Sequence, residues 1–280
     1  MSATRLPLLV TPAQLSARLP DASVRIVDLR PADAFIAGHI DGAVRAEAAL
    51  LNRNQPPAAG LLPDLVTARR LFADLDLRTG QQVVAVDAGG ATEAARLAWV
   101  LEAFSVQGVA WLNGGMAAWQ AERLPMVTGE EPASAGAAAS DGAAVDPALL
   151  GENLIDSDAL LALLDDPELR ILDVRGAAEF DGSDVRSAMG GHVPGAKHYE
   201  WTRQFDRHGR LRDVEALRAD LAGLDIDPSH RVVVYCQSHQ RSAVTWRVLT
   251  ALGFDRVQGL DGAWSVWGNR PDLPKATGAA

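Results

Sequence analysis

The sequence contains a single cysteine, Cys236, at a position suited to a nucleophile. A β-prone Val-Val-Val-Tyr run, residues 232–235, comes directly before it, and a helical pattern begins at Ser242. Backbone N–H groups at a helix N-terminus lack intrahelical partners and carry the positive end of the helix dipole, so they stabilise a thiolate or a bound anion. We therefore predict that Cys236 is catalytic, although a free cysteine is commonly a small buried hydrophobe.

The residues that follow the cysteine are predicted to bind the substrate: Gln237, Ser238, His239, Gln240, Arg241 and Ser242. Arg241 is a permanent cation that could hold an oxyanion. Its alternative role is a structural salt bridge to Asp173 or Glu179. His239 could add positive charge at lower pH, but the interpretation we favour is an exposed polar loop residue. Gln237, Ser238 and Gln240 are expected to contribute their N–H groups and their small polar side chains.

One cysteine excludes an intramolecular disulfide and a multi-cysteine metal site. We predict no metal and no cofactor. A reactive Cys236 has no resolving cysteine on its own chain, so a second molecule must complete its reaction.

The composition is that of a soluble globular protein: 280 residues, 48% hydrophobic and 22% charged. A net charge of −10 argues against nucleic acid and anionic membranes as partners. No apolar run is long enough for a membrane span. The apolar run within residues 1–10 is too short for a secretory signal, so we expect a cytoplasmic protein.

The chain consists of one unit repeated twice. Five landmarks recur in the same order at nearly constant spacing: a helix start, an Asp-x-Arg after a strand, a Gly-His-Ile/Val-x-Gly-Ala segment, a buried strand, and a Leu-Asn/Asp-Gly segment followed by Trp. The drift in spacing locates an insertion near residues 183–190. Residues 128–145 are rich in Ala, Gly, Ser, Glu and Asp without a hydrophobic period, which predicts a flexible linker.

Within each half, short apolar strands alternate with helical patterns, and this alternation predicts an α/β fold with parallel sheets and helices on both faces. We place the first domain at residues 8–127, the linker at 128–153 and the second domain at 154–272. Asp87 occupies the position in the first half that Cys236 occupies in the second. A carboxylate cannot replace a thiolate nucleophile, so we expect the first domain to be inactive.

With these motifs the sequence resembles the tandem-domain rhodanese family of thiosulfate and 3-mercaptopyruvate sulfurtransferases, over about residues 8–125 and 154–272. The Cys-Gln-Ser-His-Gln-Arg-Ser segment is similar to the loop of some bacterial rhodaneses. The resemblance implies two rhodanese-like domains and a sulfur transfer in which Cys236 becomes a persulfide. It also implies a small sulfur donor and a thiophilic acceptor. Arg175, of the Asp-x-Arg motif, is included among the substrate-binding residues.

Three alternatives stay open. Arg241 and the likeness to the bacterial loop favour thiosulfate as the donor, but the donor could instead be 3-mercaptopyruvate. The protein could instead be a sulfur carrier that delivers its persulfide to one protein partner. A phosphatase of related fold would need five residues between its cysteine and arginine. Here four residues separate Cys236 from Arg241, which disfavours that activity.

Overall fold

The structure, a computed structural model, describes residues 5–130 and 143–278. Its internal contacts divide the chain into two compact units. The first comprises Met1–Leu51 and Pro63–Leu150, and the second comprises Asn52–Leu62 and Gly151–Ala280. Residues 52–62, which the sequence analysis includes in the first domain, thus belong to the second unit.

The strands, numbered along the chain, are β1 Leu9–Val10, β2 Val24–Asp28, β3 Val44–Arg45, β4 Arg53–Gln55, β5 Ala58–Leu61, β6 Gln82–Val86, β7 Ala110–Leu112, β8 Leu154–Ile155, β9 Leu169–Asp173, β10 Lys197–His198, β11 Arg231–Tyr235 and β12 Val257–Leu260. The α-helices are α1 Pro12–Ser16, α2 Ala32–Ala37, α3 Leu65–Asp74, α4 Thr92–Ala103, α5 Gly115–Ala121, α6 Ser157–Ala162, α7 Ala177–Asp181, α8 Val214–Ala222, α9 Arg241–Ala251 and α10 Ala263–Trp267. Short 3-10 helices span Ala48–Leu51 and Trp201–Gln204.

The first unit is built on a five-stranded parallel sheet in the order β1-β7-β6-β2-β3. Its two best-paired strands run in register from Val24 opposite Gln82 to Asp28 opposite Val86. Every residue of β2 and β6 is buried. A parallel sheet that is covered on both faces requires such continuous apolar strands.

The second unit repeats this topology, in the order β8-β12-β11-β9-β10, again with all strands parallel. β11 lies in the middle, paired with β9 on one side and β12 on the other. Its residues 232–235 are buried. The two matching sheets confirm the predicted α/β fold class. Ligands of such sheets bind beyond the carboxyl ends of the strands, where Cys236 follows β11.

Helix starts follow the signals in the sequence. Thr11 caps α1 in a capping box with Gln14, and Asp156 caps α6 by accepting a hydrogen bond from the Ala159 N–H. None of the helices in the described part of the chain is long and apolar enough to cross a membrane.

The predicted linker lies partly outside the described residues, at 131–142. Three of its described residues, 143, 145 and 150, bond to the first unit. Thr79 N–H donates to Ala143 O, Val145 N–H donates to Leu77 O, and residue 150 donates to Ala103 O. Residues 143–150 thus have backbone partners in the first unit.

Residues 53–61 form an antiparallel hairpin, β4–β5, which the sequence analysis does not anticipate. Pro56 and Pro57 form its turn, and its first strand is polar. Asn54 supports it internally, since its Oδ1 accepts a hydrogen bond from the Gly60 N–H at 3.0 Å. The hairpin packs within the second unit against α10.

Candidate active site

Cys236 begins a short loop that joins the central strand β11 to α9. It is 1% exposed and is not in a disulfide. Its Sγ lies 3.4 Å from Oγ of Ser242, a buried residue in the first turn of α9. The loop therefore brings the sulfur to a hydroxyl at the start of an eleven-residue helix.

The short helix α10 binds the outer side of this loop. Trp264 N–H donates to Cys236 O at 3.0 Å, and Ser265 N–H donates to Gln237 O at 2.9 Å. The C=O and N–H groups of a trans peptide point in opposite directions. The N–H groups of Gln237 and Ser238 are therefore turned away from α10, as an anion-binding loop requires.

His239 is fully buried and has a left-handed backbone, with φ of 53°. Its Nδ1 lies 2.8 Å from Ser242 Oγ, so His239, Ser242 and Cys236 form a continuous polar chain. The prediction that His239 is exposed was therefore wrong. The left-handed conformation allows its side chain to turn toward Ser242, and the loop sequence alone does not reveal this.

Arg241 makes a two-pronged ion pair with Glu179, at 2.7 and 2.9 Å. Burial alone would lower the pKa of the Arg241 guanidinium. The hydrogen bonds that Arg241 donates to Glu179, together with the nearby Cys236 sulfur, outweigh burial and raise that pKa. Glu179 is 4% exposed, and its burial alone would raise the pKa of its carboxyl group. The hydrogen bonds and the positive charge of Arg241 outweigh burial, so the pKa is lowered and the carboxylate is ionised at neutral pH. Of the two partners weighed for a salt bridge, Glu179 is the one observed.

Arg175 is not brought to the loop by any side-chain contact described for it. It is buried, pairs with Asp173 at 2.6 Å and donates to Gly191 O at 2.6 Å. Its guanidinium stacks 4.5 Å from the centre of the Trp264 ring. These contacts are structural: they join β9 to the helix that binds the Cys236 loop.

Gln237 and Gln240 use their side chains to anchor the loop. Gln237 Nε2 donates to Ser187 Oγ at 3.2 Å, and Gln240 Nε2 donates to Asn52 Oδ1 at 2.7 Å. Ser187 and Asn52 were not among the predicted site residues. The spacing between the repeats did locate an insertion around Ser187, but no pattern in the sequence indicates a role for Asn52.

The first unit has the same loop architecture around Asp87. Met116 N–H donates to Asp87 O and Ala117 N–H donates to Ala88 O, as α10 does in the second unit. Asp87 is 2% exposed, and its carboxylate accepts a hydrogen bond from Gly89 N–H at 2.8 Å. Burial raises the pKa of Asp87 to about 6. The two units thus share a frame but differ in the group at its centre.

The rhodanese-like domain family matches the chain twice, over residues 11–122 and 156–270. The chain belongs to this family. It is 39% identical over 273 residues to a thiosulfate sulfurtransferase of Azotobacter vinelandii, covering 96% of this chain and 97% of the relative. It is 30% identical to a 3-mercaptopyruvate sulfurtransferase of Escherichia coli K12, with 93% and 94% covered.

Solved structures of the family have the same fold. The 3-mercaptopyruvate sulfurtransferase SseA of Escherichia coli matches with a TM-score of 0.76 at 27% identity, covering 92% of this chain and 99% of that one. YnjE matches with a TM-score of 0.85 at 20% identity, covering 99% and 70%. The expected membership of the rhodanese family, with two rhodanese-like domains, is confirmed.

Proposed function

We propose that this protein is a thiosulfate sulfurtransferase in which Cys236 carries the sulfur. The observation that supports this most directly is the position of the Cys236 Sγ. It lies at the carboxyl end of the central strand, beside the Ser242 hydroxyl and close to the Arg241 cation. The carbonyls of Cys236 and Gln237 accept hydrogen bonds from α10. The N–H groups of the same two peptides point the other way and are available to an anion.

In the first half-reaction the Cys236 thiolate attacks the outer sulfur of thiosulfate. A sulfur–sulfur bond forms to Cys236 as the sulfur–sulfur bond of thiosulfate breaks. Sulfite leaves with the bonding electron pair, and a persulfide anion remains on the cysteine. Arg241 attracts the sulfonate group of the donor, and Ser242 donates a hydrogen bond to the thiolate.

In the second half-reaction an external nucleophile, cyanide or a thiolate, attacks the terminal sulfur of the persulfide. The product is thiocyanate or a new persulfide, and the Cys236 thiolate is restored. Covalent catalysis divides one transfer into two easier steps. The persulfide is the sulfur carrier, so the proposed reaction needs no separate cofactor or metal.

The remaining predicted site residues receive distinct roles in this proposal. Gln237, Ser238, His239 and Gln240 contribute backbone N–H groups to bind the donor and the persulfide. Arg175 is left out of the substrate site, because its contacts hold the frame together. The first domain takes no part in the chemistry, since Asp87 stands where a cysteine would be needed.

The donor assignment is supported by relatives named thiosulfate sulfurtransferase in Azotobacter vinelandii and Pseudomonas aeruginosa, at 39% and 36% identity. A relative named for 3-mercaptopyruvate makes that compound the second candidate donor. Turnover of both donors by the purified protein, side by side, distinguishes them. A protein that loads sulfur readily but turns over slowly with free acceptors would be a carrier. A cytoplasmic location stays a prediction, to be tested by cell fractionation.

Changing Cys236 to serine tests the proposal. We expect Cys236→Ser to abolish thiocyanate formation while the fold, measured by circular dichroism, is unchanged. Because the chain has one cysteine, intact-mass spectrometry is unambiguous. The wild-type protein incubated with thiosulfate should gain the mass of one sulfur atom, and the variant should gain nothing. Activity in the variant, or an unmodified wild-type protein, would refute the assignment.

A further inference from the structure

The β4–β5 hairpin, residues 53–61, lies directly against the Cys236 loop at Gly60. Gly60 is buried and has a left-handed backbone, with φ of 68°. A Cβ atom placed on it would lie 2.0 Å from the Ser238 carbonyl oxygen and 2.8 Å from the carbonyl carbon. No side chain fits at this position, so the hairpin backbone itself contacts the Ser238 carbonyl.

The hairpin is fixed to the same elements that form the loop. Ser265 Oγ lies 2.8 Å from Ala59 N and 2.9 Å from Ala59 O. Asp261 Oδ1 accepts a hydrogen bond from Leu62 N–H at 2.7 Å, at the end of the hairpin. Ser265 is also the residue whose N–H binds the Gln237 carbonyl. Hairpin, α10 and loop therefore form one connected assembly inside the second unit.

This contact determines the orientation of one peptide group. The Ser238 carbonyl faces Gly60, so the N–H of His239, in the same peptide plane, points away from the hairpin. The next residue along the chain, His239, has a left-handed conformation. Successive residues of alternating handedness bring their N–H groups together in a concave anion site. The carbonyl of the Ser238–His239 peptide therefore faces the hairpin, and its N–H faces the opposite way.

We propose that Gly60 is a positioning residue for sulfur transfer: the hairpin turns the Ser238–His239 peptide so that its N–H faces the sulfur anion on Cys236. The proposal rests on the proposed function and extends it to a segment from the first half of the sequence. It assigns the hairpin a role in donor binding and persulfide stabilisation, beyond packing on α10.

Gly60→Ala is the test, and Gly195→Ala is its control. Gly195 has a similar left-handed φ, 80°, lies in the same unit, and has no atom within 4 Å of a built Cβ. Both variants place a side chain on a left-handed backbone, but only Gly60→Ala displaces the Ser238 carbonyl. We expect persulfide formation from thiosulfate, measured by stopped flow, to fall about 10- to 100-fold in Gly60→Ala, less than the roughly 100- to 1,000-fold for removal of an oxyanion donor, because the N–H is displaced and not removed. Gly195→Ala should retain the wild-type rate.

Alkylation of Cys236 provides a readout that does not depend on the sulfur donor. Loss of an inward N–H should slow reaction with anionic iodoacetate more than reaction with neutral iodoacetamide. General loosening of the fold would instead expose the buried thiol and speed both reactions. A wild-type rate ratio in Gly60→Ala, or equal effects of Gly60→Ala and Gly195→Ala, would overturn the proposal. Failure of wild-type protein to accept sulfur would refute the proposed function and leave the alkylation test intact.

Ser265→Ala provides a second variant if Gly60→Ala does not fold. It removes the hydroxyl that binds Ala59 but introduces no clash. We expect the same direction of change with a smaller amplitude, in both persulfide formation and the reagent ratio. Wild-type values of both in this variant would contradict a positioning role for the hairpin.

Discussion

At the scale of single residues, the Arg241 guanidinium interacts with two acidic groups, the Glu179 carboxylate and the Cys236 thiol. Glu179 fixes its orientation through two hydrogen bonds, which a lysine could not form in the same way. The alternatives considered from the sequence, structural salt bridge and anion holder, are thus compatible. The ion pair with Glu179 can position the guanidinium that binds the sulfur donor in the proposed reaction.

Arg241→Ala should lower kcat/KM for thiosulfate. The expected loss of transition-state stabilisation is about 1.5–3 kcal/mol, as for loss of a hydrogen bond to a charged group. The matched control is Arg256→Ala, which removes an equal charge from a surface pair with Glu168, before the start of β12. Steady-state kinetics with varied thiosulfate measures both variants. If the two lose activity equally, Arg241 acts only through net charge or stability.

The same change should destabilise the second unit in a pH-dependent way. The Arg241 guanidinium lowers the pKa of Glu179, so the ion pair stabilises the fold at neutral pH. This contribution is lost as pH falls through the lowered pKa of Glu179. Arg241→Ala leaves a buried carboxylate without that partner, at a cost of about 1–3 kcal/mol. Adding Glu179→Gln should restore stability in urea unfolding at pH 7 but not kcat/KM. Recovered activity in the double variant would exclude a role in donor binding.

At the scale of elements, the strands β2, β6, β9 and β11, the first helix of each half and the loop before α9 were predictable, because each is specified by local signals. Apolar runs define β6 and β11, and Thr11 and Asp156 mark helix starts. The hairpin was not predictable. Its strands are short and the first of them is polar, and contacts with Asp261 and Ser265, far along the chain, hold it in place. Local pattern carries no record of such contacts.

The short helix after the last strand of each sheet binds the carbonyls of the neighbouring loop. In the first unit this close approach requires Gly115, where a Cβ would lie 2.6 Å from both Asp87 O and Gly89 N. Gly115→Ala should therefore cost about 2–4 kcal/mol, from left-handed strain and overpacking together. Gly80→Ala, at a left-handed φ of 88° and with nothing within 4 Å, should cost about 1 kcal/mol. Urea unfolding measures both, and equal losses would mean that the approach is not tight.

At the scale of the whole molecule, the two units have one topology, and the single cysteine of the sequence lies in the second. In the first, the corresponding position holds a buried acid whose pKa is raised to about 6 by burial. A carboxyl group whose pKa is higher in the folded state favours folding when it is protonated. Its contribution is present below the ordinary value of 3.8 and is lost as pH rises through about 6.

Asp87→Asn should therefore stabilise the first unit above pH 6 by up to about 3 kcal/mol, and change little below pH 4. Hydrogen exchange of the β6 amides reports this unit separately from the second. Asp41→Asn, which neutralises an exposed carboxylate of the same unit, should have a small effect at both pH values. Sulfur transfer should be unchanged in both variants, and a large loss in Asp87→Asn would implicate the first unit in the chemistry.

The bond between Ala59 and Ser265 spans 206 positions of the chain. During synthesis the N-terminal segment emerges first, so residues 53–61 leave the ribosome long before the helix that receives them. The nascent chain can fold its first sheet while this segment waits without its permanent partner. The Cys236 loop is thereby completed only after α10 has been synthesised and has bound a segment that lies 206 positions earlier in the chain. A gene cut between the two repeats would separate these partners, although each piece would keep a whole sheet.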